Sequence, residues 1–504
     1  MSHTVSFEKR DFSGPQPAPG LVLDVERMSW RAVGGPWKAQ LTARASDAAR
    51  LWQAAELLRC GVKVFDDLGA AWWGYVSAVT LHWEDASARV STDELANDVM
   101  VRYKSLSPDP WGGEDTWTAA AVDAASVAKY GRRQQVFGLG PATLQQAEAF
   151  RWSQLARHAW PAFDAGPIQD RSGSGGTGSS GVYAVIECRG YWETLDWLFY
   201  KDSRGMVGHA KSGSNLAMKS GGGAAGVMYA QTFKAGAEAW KVNEVWLRVG
   251  KEGNPTDNLR IEVWSGAVPG AGSMITSLSL NGTTMPNERA WIRYPMALAE
   301  LAAGGSYYLK IYRGATDAVN FYNLSLDQTL GYADGALTSG NNTTPWVPLV
   351  PDGDLAFIVR GVVAQDAILL RILEQSGQFL AGVRMETALG FDGVPYRDGR
   401  ERGRAEVEAV LKQGTPTGGR LLARVEADRW LRVFAQPDSA LPELTISQGG
   451  VLCWRDGRRL HSSELAAGRW ASLGLQSGAG GQNAAAFVEG CSWDAARGLH
   501  LAEV

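Results

Sequence analysis

Short stretches of alternating apolar and polar residues, punctuated by glycine turns, run through most of this chain and predict a β-rich molecule. Leu21–Ala32 and Trp37–Arg44 flank Val33-Gly34-Gly35-Pro36 and read as two strands joined by a turn. Ser46 stands where an N-cap is needed for a helix running to about Arg59, with Leu51, Ala55 and Leu58 on one face. Val62–Phe65 and Ala71–Trp83 follow as strands around Asp66-Asp67-Leu68-Gly69, giving a small barrel-like sheet with a helix against it. From Trp117 to about Ala165 the pattern turns helical. Val122–Lys129 predicts a short helix, and Gly140-Pro141 opens a longer one carrying Ala147, Phe150, Leu155 and His158. Val182–Arg189 reads as a strand, with Tyr191–Phe199 alongside.

Between Val227 and Gly361 the pattern changes to short strands separated by turns. They are Val227–Phe233, Glu244–Val249, Leu259–Trp264, Ile275–Leu280, Trp291–Tyr294, Ser306–Tyr312, Val319–Tyr322 and Leu355–Arg360, which together predict a sandwich or jelly roll. A Ser/Gly run at 172–181 and a Gly-rich stretch at about 211–226 precede it, and different sequence resumes at Val362, so it reads as an insertion into another fold. Beyond Gln365, Ala405–Lys412 predicts a helix, Arg420–Glu426 and Trp430–Gln436 a strand pair, and Arg455-Asp456-Gly457 a hairpin turn. The expected domains are 1–100 (a barrel), 101–202 (helical/β), 203–226 (a Gly-rich linker), 227–361 (the sandwich) and 362–504 (α/β). The fold class is thus β-rich α+β multidomain.

Composition narrows the function classes. A net charge of −4 offers no broad basic field, and the arginines at 397, 400, 402 and 404 are interrupted by Asp398 and Glu401, so nucleic-acid binding is not expected. No apolar run is long enough to span a bilayer, and Met1–Arg10 lacks the apolar stretch of a secretion signal, so neither membrane insertion nor export is expected. Cys60, Cys188, Cys453 and Cys491 are widely spaced and read as free, mostly buried thiols.

Motifs that resemble chemistry fail on context. Gly173, Gly175 and Gly178 satisfy G-x-G-x-x-G, but a strand follows where the phosphate-binding helix should begin. Gly414-Thr415-Pro416-Thr417-Gly418-Gly419-Arg420 approaches a P-loop without its lysine, and Leu421 replaces the Mg²⁺-binding hydroxyl. The six histidines show no metal-ligand spacing, and no nucleophile elbow is present. Asp66/Asp67 and Asp352/Asp354 read as turn formers, the latter also as a weak Ca²⁺ candidate. No catalytic residue, cofactor or metal set is assigned, and an enzyme is not expected. In the insert, Trp264, Tyr307, Tyr308, Tyr312, Phe321, Tyr322, Tyr332 and Trp346 either fill the sandwich core or form a sugar-stacking platform. Tyr332 and Trp346 lie in loop-like stretches and are the candidate ligand contacts.

Several stretches resemble the baseplate hub (tail-tip) proteins of siphophages and prophages. They include Trp37-Lys38-Ala39-Gln40-Leu41, Trp72-Trp73-Gly74-Tyr75-Val76, Ala125–Gly131, Cys188–Trp197 and Arg420–Phe434, and the resemblance covers roughly residues 20–200 and 365–504. The insert, at Gln231-Thr232-Phe233, Gly253-Asn254-Pro255-Thr256, Val268-Pro269-Gly270 and Asp354-Leu355-Ala356-Phe357, is similar to jelly-roll domains that resemble carbohydrate-binding modules. The resemblance implies a virion structural protein: a homotrimeric ring of tube-like β-barrel hub domains at the distal end of the tail tube, assembled in the host cytoplasm. It further implies distal tail, tail-tube and tape measure proteins as partners, and an outward β-sandwich touching host surface glycan or neighbouring tail proteins. The alternative is a host-recognition, carbohydrate-binding tail protein.

Overall fold

A computed structural model describes residues 3–83, 86–106, 115–167, 182–200, 205–220, 227–329, 331–341, 344–349, 353–376, 378–387, 389, 394–395, 401–437, 444–446, 451–456, 458–461, 463–464, 467–473, 485–494 and 499–503. It is strand-rich and multidomain, and its contacts divide it into two compact units. The larger holds Met1–Tyr200, Leu369–Leu389 and Glu401–Val504; the smaller holds Lys201–Ile368 and Gly390–Arg400.

The larger unit is organised by a ten-stranded sheet. Gly34 and Gly35 take φ of 106° and 78°, which lets Val22–Arg31 fold tightly back onto Gly35–Arg44. Ala70–Trp83 is long enough to hold Gly61–Phe65 and then Ala86–Ser91 along one edge, while Tyr183–Arg189 pairs along its other edge. The final strands come from the far end of the chain: Gly490–Asp494 pairs with Val22–Arg31, and Leu499–Glu503 closes that edge. The sheet curls into a half-barrel, because His3, beside the strand Thr4–Glu8 at the opposite edge, packs against Trp493 at 4.5 Å. Trp30, Leu41, Trp72, Val76, Val79 and Ile186 are buried in it. The helix Ala48–Glu56 is capped by Asp47, whose carboxylate accepts from Arg50 N–H at 2.9 Å, one residue past the Ser46 that the sequence suggested.

Two expectations in this unit are corrected. Gln134–Ala142 is a strand, parallel to Asp98–Ser105, so Gly140-Pro141 ends a strand instead of opening a helix. The long helix starts later, at Leu144, where Thr143 and Gln146 form a reciprocal capping box. Tyr191–Trp197 is a 3-10 helix and not a strand; it buries Tyr191, Trp192, Leu195 and Trp197. C-terminal segments join the unit through specific bonds: Trp73 Nε1 donates to the Val425 carbonyl at 2.7 Å, and Gly34 N–H to Ala423 at 2.7 Å. Cys60, Cys188 and Cys491 are free and buried, and Cys453 is free and half-buried.

The smaller unit is a sandwich. One sheet has six strands, in the order Met274–Asn281, Asn258–Ser265, Ser306–Arg313, Met228–Lys234, Leu337–Gly340 and Val347–Pro348. The other is built around Trp240–Glu252, which pairs with Ala290–Leu301, Phe321–Asp327 and Phe357–Val363. Inward positions of both sheets form one core that includes Phe233, Val245, Leu247, Ile261, Leu309 and Phe357. The Gly-rich linker expected at 203–226 is corrected in part. Met206–His209 pairs with Phe357–Val363, and Ser214–Met218 with Phe321–Asp327, because Leu216 and Met218 carry enough apolar surface to pack on the core.

Candidate functional site

Strand alternation gives the six-stranded sheet two chemically different faces. Leu259, Ile261 and Val263 point into the core with Tyr307, Leu309 and Ile311. Their neighbours Arg260, Glu262 and Trp264 therefore share the outer face, directly opposite Tyr312, Lys310 and Tyr308. Trp264 stacks on Tyr308 with ring centres 6.1 Å apart and planes 12° from parallel. The Lys310 ammonium sits 5.1 Å from the Trp264 ring centre and 5.3 Å from that of Tyr312, a cation held between two π-faces.

Glu262 ties the group together. It accepts from Trp264 Nε1 at 2.8 Å and from the Tyr312 hydroxyl at 2.6 Å, and lies 3.7 Å from Lys310 Nζ. Burial, then the bond to Glu262, raises the Tyr312 hydroxyl above its ordinary pKa. Burial likewise raises Tyr308, which is almost fully covered and bonds to the Ala271 carbonyl at 3.0 Å. Trp264 and Tyr312 remain half-buried, while Arg260, Ser277 and Ser279 beside them are exposed. The face thus presents two fixed, partly open aromatic rings bordered by a guanidinium and hydroxyls. Aromatic faces bury the C–H faces of a pyranose ring, and the flanking groups suit its hydroxyls.

Trp346 belongs to this face. A β-carbon on Gly340 would lie 2.9 Å from its indole, and one on Gly270 2.8 Å, so both positions leave the indole room that only glycine provides. Tyr332 does not belong to it. Its ring packs edge-on against buried Phe357 at 5.3 Å and beside His209 at 6.0 Å, and burial pushes its hydroxyl up to about 12. Of the two aromatics singled out in the sequence, Trp346 lies against Gly270, whose N–H donates to the Tyr308 hydroxyl at 3.2 Å, while Tyr332 packs on the core that Tyr307 and Tyr322 fill.

The remaining motifs fall as follows. The Asp354 carboxylate is buried and taken up by Gln231 Nε2 at 3.2 Å and Tyr332 N–H at 3.2 Å; Asp352 lies outside the described residues. Buried His209 and Asp327 pair at 2.8 Å. Among the described residues no three His, Cys, Asp or Glu side chains converge as a metal-ligand set. Gly173, Gly175 and Gly178 lie outside the described residues. The loop Gly414–Gly419 closes on itself, the Thr415 hydroxyl accepting from Gly419 N–H at 2.8 Å. In the larger unit a cleft of about 510 Å³ is lined by Arg31, Trp37, Trp192, Arg404, Glu408 and Glu489; Arg404 pairs with Asp196 at 2.8 Å and Glu489 with Arg420 at 2.7 Å. No helix among the described residues is long and apolar enough to cross a membrane.

No family model matches the chain, and no curated protein matches it. Among solved structures, an arabinoxylan arabinofuranohydrolase of glycoside hydrolase family 43 from Bacillus subtilis is similar at 12% identity, over 57% of this chain and 63% of its own, with a TM-score of 0.16. The Cry4Aa toxin of Bacillus thuringiensis is similar at 7% identity, over 62% and 52%, with a TM-score of 0.16. The VP2 subviral particle of infectious bursal disease virus is similar at 8% identity, over 68% and 80%, with a TM-score of 0.17. The chain therefore spans less than two thirds of the hydrolase and about half of the toxin. At such TM-scores these likenesses carry no argument about function.

Proposed function

We propose that this chain is a structural, non-enzymatic tail-tip protein of a bacteriophage, a baseplate-hub-like ring subunit whose inserted sandwich makes contacts with host glycan or with neighbouring tail proteins. The observation that carries the reading is the closure of one curled sheet by strands from both ends of the chain, Val22–Arg31 beside Gly490–Asp494. The sandwich is thereby an insertion into a single scaffold, and an assembly subunit can carry such a module without altering the scaffold's own strand order. In this reading the half-barrel is the tube-like element, a homotrimer forms the ring, and the distal tail, tail-tube and tape measure proteins are its neighbours. Light scattering of the purified chain tests the assembly: a mass three times the 54.2 kDa of one chain is expected.

The outer face of the six-stranded sheet favours a second reading, a carbohydrate-binding tail protein for host recognition. Loss of a stacked indole costs roughly 1 kcal/mol or more, on the order of a tenfold drop in affinity. Full-length Trp264→Ala is accordingly expected to bind bacterial surface polysaccharide about tenfold more weakly than wild type in a glycan-array titration. Tyr332→Phe, altered at the core edge, is expected to bind as wild type does. Equal binding by wild type and Trp264→Ala would count against this face as the glycan site.

A further inference from the structure

Three residues other than glycine hold left-handed backbone angles among the described residues: Phe12 (φ 60°), Arg59 (71°) and Arg429 (65°). All three meet at one place in the larger unit. The Arg429 guanidinium carbon lies 3.8 Å from the centre of the Phe12 ring, and that of Arg59 lies 5.6 Å from it. Both arginines also engage Phe379: Arg59 stacks over its ring at 4.0 Å, and Arg429 Nη1 donates to its carbonyl at 3.1 Å. Such angles are sterically costly for bulky side chains, and here they come from three remote segments, so tertiary packing holds them.

The charge balance at this place is unusual. Arg59 is 2% exposed; its Nε donates to the Tyr130 carbonyl at 2.9 Å, while Nη1 is buried and has no partner among the described residues. Burial draws its pKa down to about 10, Arg10 acts in the same direction, and the groups that oppose them are Tyr191, Tyr75 and Cys60, none of them a carboxylate. Arg10, at the partly open side, donates Nε to the Leu58 carbonyl and Nη2 to the Glu56 carbonyl, and the Glu56 carboxylate 3.8 Å away is 73% exposed. A buried guanidinium stays protonated, and without a counter-charge its desolvation goes uncompensated.

We propose that this arginine–aromatic cluster is a binding site for a compact oxyanion of the phosphate or carboxylate kind, taken by the free edge of Arg59 with Arg10 and Arg429 at its margin and Phe12 as its cover. The fork of a guanidinium matches two oxygens of such an anion, and the apolar walls strengthen each charged hydrogen bond. The site is independent of the sheet face in the sandwich, and its failure would leave that reading untouched.

The test titrates the full-length chain with inorganic phosphate, and separately with acetate, at fixed pH and ionic strength. Phosphorus-31 linewidth reports phosphate directly, and the melting temperature reports both anions. Saturable binding of either anion is expected, with acetate saturation identifying a carboxylate as the accepted form. Arg59→Met is expected to weaken that binding at least about tenfold, the effect of losing one charge-assisted bond. Should Arg59→Met fail to fold, Arg429→Asn gives the same readout, since asparagine tolerates the left-handed angle at that position. A response to both anions that never saturates, or equal titrations for wild type and whichever variants fold, would overturn the proposal.

Discussion

Replacing Arg313 by alanine is expected to destabilise the sandwich by about 3–5 kcal/mol, the range for removing one partner of a buried ion pair. The Arg313 side chain is 1% exposed and meets Asp257 in a two-pronged pair, Nη2 to Oδ1 at 2.6 Å and Nε to Oδ2 at 3.0 Å. Its Nη1 donates to the Met218 and Asn320 carbonyls at 3.1 and 2.7 Å. Asp257 also accepts from the Gly314 and Ala315 amides, at 2.9 and 3.0 Å. Burial alone would raise the Asp257 carboxyl, but the Arg313 guanidinium and the Ala315 amide hold it below its usual value. One guanidinium therefore joins the strand Ser306–Arg313 to Ser214–Met218 and to the turns at 257 and 320. Alanine would leave a carboxylate and two carbonyls without that partner. Arg313→Lys is expected to recover little, because a single ammonium cannot reproduce the planar fork. Urea titration of the two variants against wild type measures both effects, and a loss below 1 kcal/mol for Arg313→Ala would contradict the role given to the pair.

Acid is expected to weaken the larger unit between pH 6.5 and pH 4 through His500. The residue is 3% exposed, packs beside Trp30 at 5.8 Å, and neither ring nitrogen has a hydrogen-bond partner among the described residues. Burial lowers its pKa from 6.5 to about 4, against opposing attraction from Asp66 and Glu464. A histidine depressed in the folded state is held neutral there, so in this window the unfolded chain binds more protons. Stability is then complete above pH 6.5 and falls as pH drops towards 4, by about 3 kcal/mol in all. His500→Phe removes the titrating group and is expected to flatten this slope. Chemical unfolding at pH 7 and pH 4.5 decides the matter; identical losses in wild type and His500→Phe would assign the acid response to other groups.

The local architecture was largely legible in the chain. Val33-Gly34-Gly35-Pro36 marks a turn between two strands, and the strand spacing from Val227 to Gly361 marks a sandwich, because period-two patterns and glycine turns are local signals. Non-local closure was not legible: nothing near Gly490–Asp494 says that its partner is Val22–Arg31. Gly140-Pro141 fits a helix start as well as a strand end, so local pattern does not reveal the strand Gln134–Ala142 that it finishes. At the candidate site, loop position drew attention to Tyr332 along with Trp346. Alternation held the better signal, since Arg260, Glu262 and Trp264 interleave with Leu259, Ile261 and Val263 and so define an outer face. What the sequence could not supply was the partner strand that sets Tyr312, Lys310 and Tyr308 opposite them, or the Phe12–Arg59–Arg429 cluster, whose members lie on separate segments.

The most direct test of the assembly role is particle imaging of the purified full-length chain at concentrations up to those of assembly. Threefold rings with an axial channel are the expected result. A field of single chains at every concentration would contradict the ring-subunit account and leave the sandwich face as the basis for any role in recognition.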